Sequence, residues 1–226
     1  MFRPTILLAT LLSAASVADA QVVVYDNTTT YAGTENLLLS GGQSDSSEHG
    51  NEITLRGANR SVTAIHVVLR IQGAGPATFD ARVRLYRNDG PGGMPGTALW
   101  SSALTPRIID SGAPLQYSFV VPEIVVPETF TWTIEVQNRT GNSSELGPSH
   151  FDPPTTGSAR SGYWKRIGAG PTDWELTGLA QPPFGARITA IGTPIPALTG
   201  WGVTVLMIAL MGAGIATLRR RSAARS

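Results

Sequence analysis

Few side chains in this sequence have the types and spacing to do chemistry. The chain holds three histidines, His49, His66 and His150, and no cysteine. No two histidines stand at i, i+4 and no H-E-x-x-H pattern can be drawn, so the spacing that brings two imidazoles to one metal is missing. Without thiols there are no disulfides, iron–sulfur clusters, zinc fingers or thiol nucleophiles. His49 stands near Asp45, Glu48 and Glu52. These donors would suit a hard cation, but acids spaced among serines read first as a solvated polar loop. His66 falls inside a strand pattern and reads as a structurally satisfied side chain. Asp89 has an oxygen to offer Ca²⁺, yet the D-x-D-x-D-G ladder is absent and Asn88-Asp89-Gly90 is favourable turn chemistry by itself. No G-x-S-x-G elbow is present. The 15 acids outside the first 20 residues do not single out the facing pair that glycoside hydrolysis needs. A non-catalytic protein with no cofactor and no metal site is therefore expected.

Tyr163, Trp164 and Trp174 flank Gly168-Ala169-Gly170-Pro171. Exposed aromatic faces stack on the apolar faces of sugar rings, which makes these three candidate glycan contacts. Large rings more often plug a core, and that interior reading is preferred for them.

The elements that must position these groups are strands. Ile65, Val67, Leu69 and Ile71 alternate along one face, with Val62, Ala64 and Val68 making the other partly apolar. Phe79, Ala81, Val83 and Leu85 alternate with Asp80, Arg82, Arg84 and Tyr86, as Phe130, Trp132, Ile134 and Val136 do with Thr131, Thr133, Glu135 and Gln137. Further strands are expected near 21–25, 52–55, 115–121, 163–166 and 186–191. The stretches 45–48 and 138–162 read as loops, the second rich in Ser, Thr, Pro and Gly. No 3.6-residue period stands out between 21 and 194, and Gly and Pro recur at turn spacing. The fold class is all-β, a single sandwich or jelly-roll-like domain, with a closed barrel as the alternative.

Residues 21–194 carry 12 basic and 15 acidic side chains, a net charge of −3, which is the opposite bias from a nucleic-acid binder. The two ends differ from this domain. Residues 1–20 have Arg3, an apolar stretch and the A-x-A site Ala18-Asp19-Ala20, the parts of a secretion signal cleaved before Gln21. Residues 201–218 are an uncharged run that reaches ~27 Å as a helix, enough to span a bilayer. Arg219, Arg220 and Arg221 follow in a basic tail, 219–226, and by the positive-inside rule they stay cytoplasmic, which leaves the domain on the far side.

Ile195-Pro196-Ala197-Leu198-Thr199-Gly200-Trp201-Gly202, followed by the apolar run and the arginines, resembles the IPTL-CTERM sorting signal, a relative of the PEP-CTERM tags of Gram-negative bacteria. Ile195, Pro196, Leu198, Trp201 and Gly202 match its motif, while Ala197 stands where Thr is usual. The resemblance covers 195–226 and implies recognition by an exosortase, a membrane-embedded transpeptidase that removes the tail and passes the protein to the cell surface. The stretch 83–100, with Asn88-Asp89-Gly90-Pro91-Gly92-Gly93 at its turn, resembles a strand-turn-strand phrase of surface β-sandwiches in bacteria that use such tags. The expectation is an exported, surface-directed protein whose partners are the membrane, an exosortase-type enzyme and extracellular polysaccharide. The alternatives are a secreted hydrolase and an adhesin that binds a protein through a strand edge.

Overall fold

The computed structural model describes residues 20–35, 47–72, 76–110, 112–141, 145–166, 170, 173–178 and 180–192. Fourteen strands run through them: β1 (Gln21–Asp26), β2 (Tyr31–Glu35), β3 (Ser47–Thr54), β4 (Ser61–Gln72), β5 (Ala77–Tyr86), β6 (Ala98–Ser101), β7 (Thr105–Ile109), β8 (Leu115–Val125), β9 (Thr129–Gly141), β10 (Glu145–Phe151), β11 (Ser158–Ala159), β12 (Tyr163–Arg166), β13 (Trp174–Thr177) and β14 (Ala186–Ile191). They lie in one compact unit, Gln21–Gly192. Among the described residues no helix is long and apolar enough to cross a membrane. Residues 1–19 of the signal expected at 1–20, the sorting motif at 195–202, the span at 201–218 and the basic tail all lie outside the described residues.

The strands form two antiparallel sheets. One has six strands in the order β1-β14-β4-β10-β2, with β8 on the other side of β4; the other has eight in the order β13-β12-β3-β9-β5-β6, with β7 also on β5 and β11 on β3. Their pairings nest. The strand β1 pairs with β14, β3 with β9, β4 with β8, and β5 with β7, each pair enclosed by the one before it, as in a long hairpin wound upon itself. The segment β10–β13 is inserted between β9 and β14. It is tied back through β10 to β4 and through β12 to β3.

Period-two alternation decides which side chains meet between the sheets. Ile65, Val67, Leu69, Ile71 and Ile188 of the six-stranded sheet join Phe79, Val83, Leu85, Phe130, Trp132 and Ile134 of the other in one cluster, the arrangement of a β-sandwich. Each such side chain withdrawn from water contributes about 1.5–3 kcal/mol against chain entropy. Buried amides fix the inserted segment: Asn51 donates to the Gly162 carbonyl at 2.6 Å and accepts from the Phe184 N–H at 2.8 Å, and Asn27 donates to the Phe151 carbonyl at 2.8 Å.

Two expected loops are strands. Residues 47–54 are β3, so His49, Glu48 and Glu52 do not sit in a solvated acidic loop: Glu48 and His49 are buried, 3% and 0% exposed, while Asp45 lies outside the described residues. Its end lies in the strand expected near 52–55; its first half escapes a hydrophobicity count because its inward positions include His49 and Asn51, which blunts the alternation. Residues 138–162 hold the end of β9, all of β10 and the short β11. Pro148 argues against a strand there, but it is the last residue of β10 to pair with β4, after which Ser149 and Phe151 pair with β2. A missing N–H is tolerated at such a change of partner.

Candidate functional site

The outer face of the eight-stranded sheet carries a charge network that the alternation of β5 and β9 points toward. Register places Glu48 opposite Glu135 and Glu135 opposite Arg82; one rung along, Gly50 lies opposite Thr133 and Thr133 opposite Arg84. Glu48 is the centre. One carboxylate oxygen accepts from the Arg84 Nη1 at 2.7 Å and the Arg166 Nη1 at 3.2 Å, and the other from the Tyr86 hydroxyl at 2.9 Å and the Thr133 hydroxyl at 2.5 Å. Arg84 Nη2 reaches Glu135 at 2.6 Å, and Gln137 donates to the other Glu135 oxygen. Burial opposes the Arg84 charge, but Glu48 and Glu135 outweigh it and hold its pKa above the usual value. Burial, followed by Glu48, pushes the Tyr86 phenol up.

Aromatic rings cover this network. Tyr86, Trp164 and Trp174 form a second buried cluster with Met94 and Leu176. Tyr86 meets Trp174 edge-on at 5.5 Å, and the Arg166 guanidinium lies 5.6 Å from the centre of the Trp174 ring. Met94 is delivered by the 88–97 turn, which Asp89 closes by accepting from the Thr97 N–H at 2.7 Å. That bond lowers the Asp89 pKa. Tyr163 faces the other way, into the main core between His49 and Phe184. The three candidate sugar-stacking rings are thus divided between two faces and are 5%, 5% and 7% exposed, without a free face to offer.

Two carboxylates face each other here, a pairing that no spacing in the sequence announces. Chemically the pair is closed: Arg84 bridges Glu48 and Glu135 where a scissile oxygen would have to enter, and four donors occupy Glu48. A nucleophile–base contact also exists, His66 Nδ1 to the Ser118 hydroxyl at 2.7 Å, between β4 and β8. The nearby Asp26 carboxylate is taken up by Thr28 and, at 3.7 Å, by Arg187, so it does not complete a triad. Burial first, and Arg187 second, lower the His66 pKa. Among the described residues no group of three His, Cys, Asp or Glu side chains could hold a metal ion.

An open groove of ≈ 450 Å³ lies where β6 and β7 of one sheet approach β8 of the other; Trp100, Ser101, Ser102, Thr105, Arg107 and Ser118 are among its walls. Cross-sheet bonds staple this seam. Arg107 Nη2 donates to the Ser118 carbonyl at 3.2 Å, and the Tyr117 hydroxyl donates to the Ile108 carbonyl at 2.8 Å. The Arg107 guanidinium rests 4.9 Å from the centre of the Phe119 ring and 5.9 Å from that of Tyr117. Burial pushes the Tyr117 phenol up to about 12, against the pull of Arg107. Sequence reasoning missed this site because its residues come from β8, from the short strands β6 and β7, and from the link between those two. No protein-family model matches the chain, and no curated protein matches its sequence.

Proposed function

We propose that this chain is an exported, surface-directed protein without catalytic activity, a jelly-roll module that holds extracellular polysaccharide in the groove at its seam. The groove carries the reading: it is open, and its walls include Trp100, Arg107, Ser101, Ser102 and Thr105, with no carboxylate among the described residues that line it. That mixture suits a sugar ring, which offers one apolar face and a rim of hydroxyls. The nested pairing of β1 with β14 through β5 with β7 supports the jelly-roll order. The Arg84 clamp on Glu48 and Glu135 favours binding over hydrolysis. The adhesin alternative draws on Val120 and Ile108, 83% and 64% exposed along β8 and β7. It is disfavoured because Arg107 and Tyr117 already occupy carbonyls at those two edges.

Delivery rests on the ends of the sequence: cleavage before Gln21, then recognition of Ile195-Pro196-Ala197-Leu198 and removal of the tail by an exosortase-type enzyme. The test expresses the full chain in a host that has the matching enzyme and measures the mass of the mature protein. A start at Gln21 and loss of 219–226 are expected, and Pro196→Ala should hold the uncut form in the inner membrane. Mature protein that retains 219–226, with no effect of Pro196→Ala, would reduce the tail to a plain anchor. The same purified protein on a glycan array should bind a polysaccharide class, more weakly with Trp100→Ala. A blank array from folded protein would end the polysaccharide reading.

A further inference from the structure

We infer that the seam groove selects acidic polysaccharide, with the Arg107 guanidinium as the group that meets a carboxylate on the sugar; this rests on the groove being the glycan site. Among the described residues Arg107 is the one charged residue lining the groove, and no acid is among them. Its hydrogen-bond partner among the described residues is a neutral one, the Ser118 carbonyl at 3.2 Å, and it has no carboxylate partner there. Its Nε is buried without a hydrogen-bond partner among those residues. The contrast with the outer sheet face is informative, because Arg82, Arg84 and Arg166 are all engaged there by Glu48 or Glu135.

The groove also holds its cation in place. Phe119, 4% exposed, lies with its ring centre 4.9 Å from the guanidinium, a cation–π contact that with the bond to the Ser118 carbonyl holds Arg107 at the groove wall. A guanidinium held this way is suited to a carboxylate, and the Ser101, Ser102 and Thr105 hydroxyls in the same walls, which donate to the Ser102 and Ala103 carbonyls, keep oxygen lone pairs to accept from ring hydroxyls. The surrounding domain is net negative, 12 basic against 15 acidic side chains over 21–194, so a polyanion gains nothing from general attraction. Affinity for one must come from a local cationic site.

The experiment measures binding of the mature exported protein to polygalacturonate and to the same polymer after its carboxylates are reduced to neutral hydroxymethyl groups, with dextran sulfate as a sulfated arm. Binding to polygalacturonate at least about tenfold tighter than to the reduced polymer, weakening with salt, is expected. Arg107→Gln should abolish the difference. Because Arg107 also staples the seam, Ala103→Glu is the second variant: it places a negative charge in the groove wall without touching the staple, and should cost affinity for the acidic polymer alone. Dextran sulfate bound as tightly as polygalacturonate would overturn carboxylate selectivity. Equal binding of the charged and reduced polymers, unchanged in both variants, would overturn the inference and leave the glycan reading standing. Binding to none of the polymers, together with a blank array, would overturn both.

Discussion

Glu48→Ala withdraws the shared acceptor of two guanidiniums and two hydroxyls from beneath the Tyr86, Trp164 and Trp174 rings. Removing one partner of a buried ion pair costs about 3–5 kcal/mol, because the remaining charge stays out of water. Here Arg84 and Arg166 are 15% and 26% exposed, and Arg84 keeps Glu135 at 2.6 Å, so the lower end applies, about 3 kcal/mol. For a domain of this size that is a fall in Tm of roughly 6–12 °C. Glu52→Ala is the internal reference, since Glu52 meets Arg160 at 3.4 Å with the arginine 43% exposed, and such a pair is worth at most about 1 kcal/mol. Urea unfolding followed by tryptophan fluorescence, with the slope unchanged between variants, gives the comparison. A loss for Glu48→Ala no larger than that for Glu52→Ala would refute the claim that this network holds the outer face together. A rise in stability would mark Glu48 as a strained functional carboxylate instead.

Burial, and secondarily Lys165, lower the His49 pKa from 6.5 to about 4. Because protonation favours the unfolded chain, stability is full above about pH 6.5 and declines by about 3 kcal/mol as pH falls to 4. His49→Gln should flatten that slope in thermal melts taken across this range; an unchanged slope would assign it elsewhere. At Gly50 an added Cβ would meet the Trp132 carbonyl oxygen at 1.8 Å and the Thr133 Cα at 2.6 Å. Gly50→Ala should therefore part β3 from β9 and cost about 3 kcal/mol or more, read by urea midpoint. Gly112→Ala, whose nearest neighbour lies at 3.8 Å, should leave the midpoint alone.

Where apolar and polar residues alternate, the sequence announces the strand: β4, β5 and β9 stand where period-two alternation puts them, and β1, β8, β12 and β14 stand where the further strands are expected. The first half of β3 is hidden because polar groups serve both its faces, Glu48 outward and His49 and Asn51 inward, whereas its end falls in the strand expected near 52–55. The strand β10 is hidden because Pro148 follows the rule for edges at a place where the strand changes partner. The candidate site was less legible still. Alternation puts Arg82, Arg84 and Glu135 on solvent-side positions, but the meeting of Glu48 with Arg84 and Arg166 depends on bringing β3, β5 and β12 into one sheet. The seam groove depends on two sheet edges coming opposite each other. Long-range register of that kind is a property of topology, and local spacing carries no trace of it.

The outermost pair of the nest has a consequence for the timing of folding. Gln21, the first residue of β1, is matched to Ile191, the last residue of β14, and β14 in turn lies against β4. The six-stranded sheet cannot close until its final strand has arrived, and closure over so long a loop is entropically slow. A chain threaded unfolded through a membrane, as the proposed export requires, would keep an unfinished sheet for the whole of its passage. The order of the strands would thus delay folding until nearly all of the domain is across, without a separate device to hold the chain open.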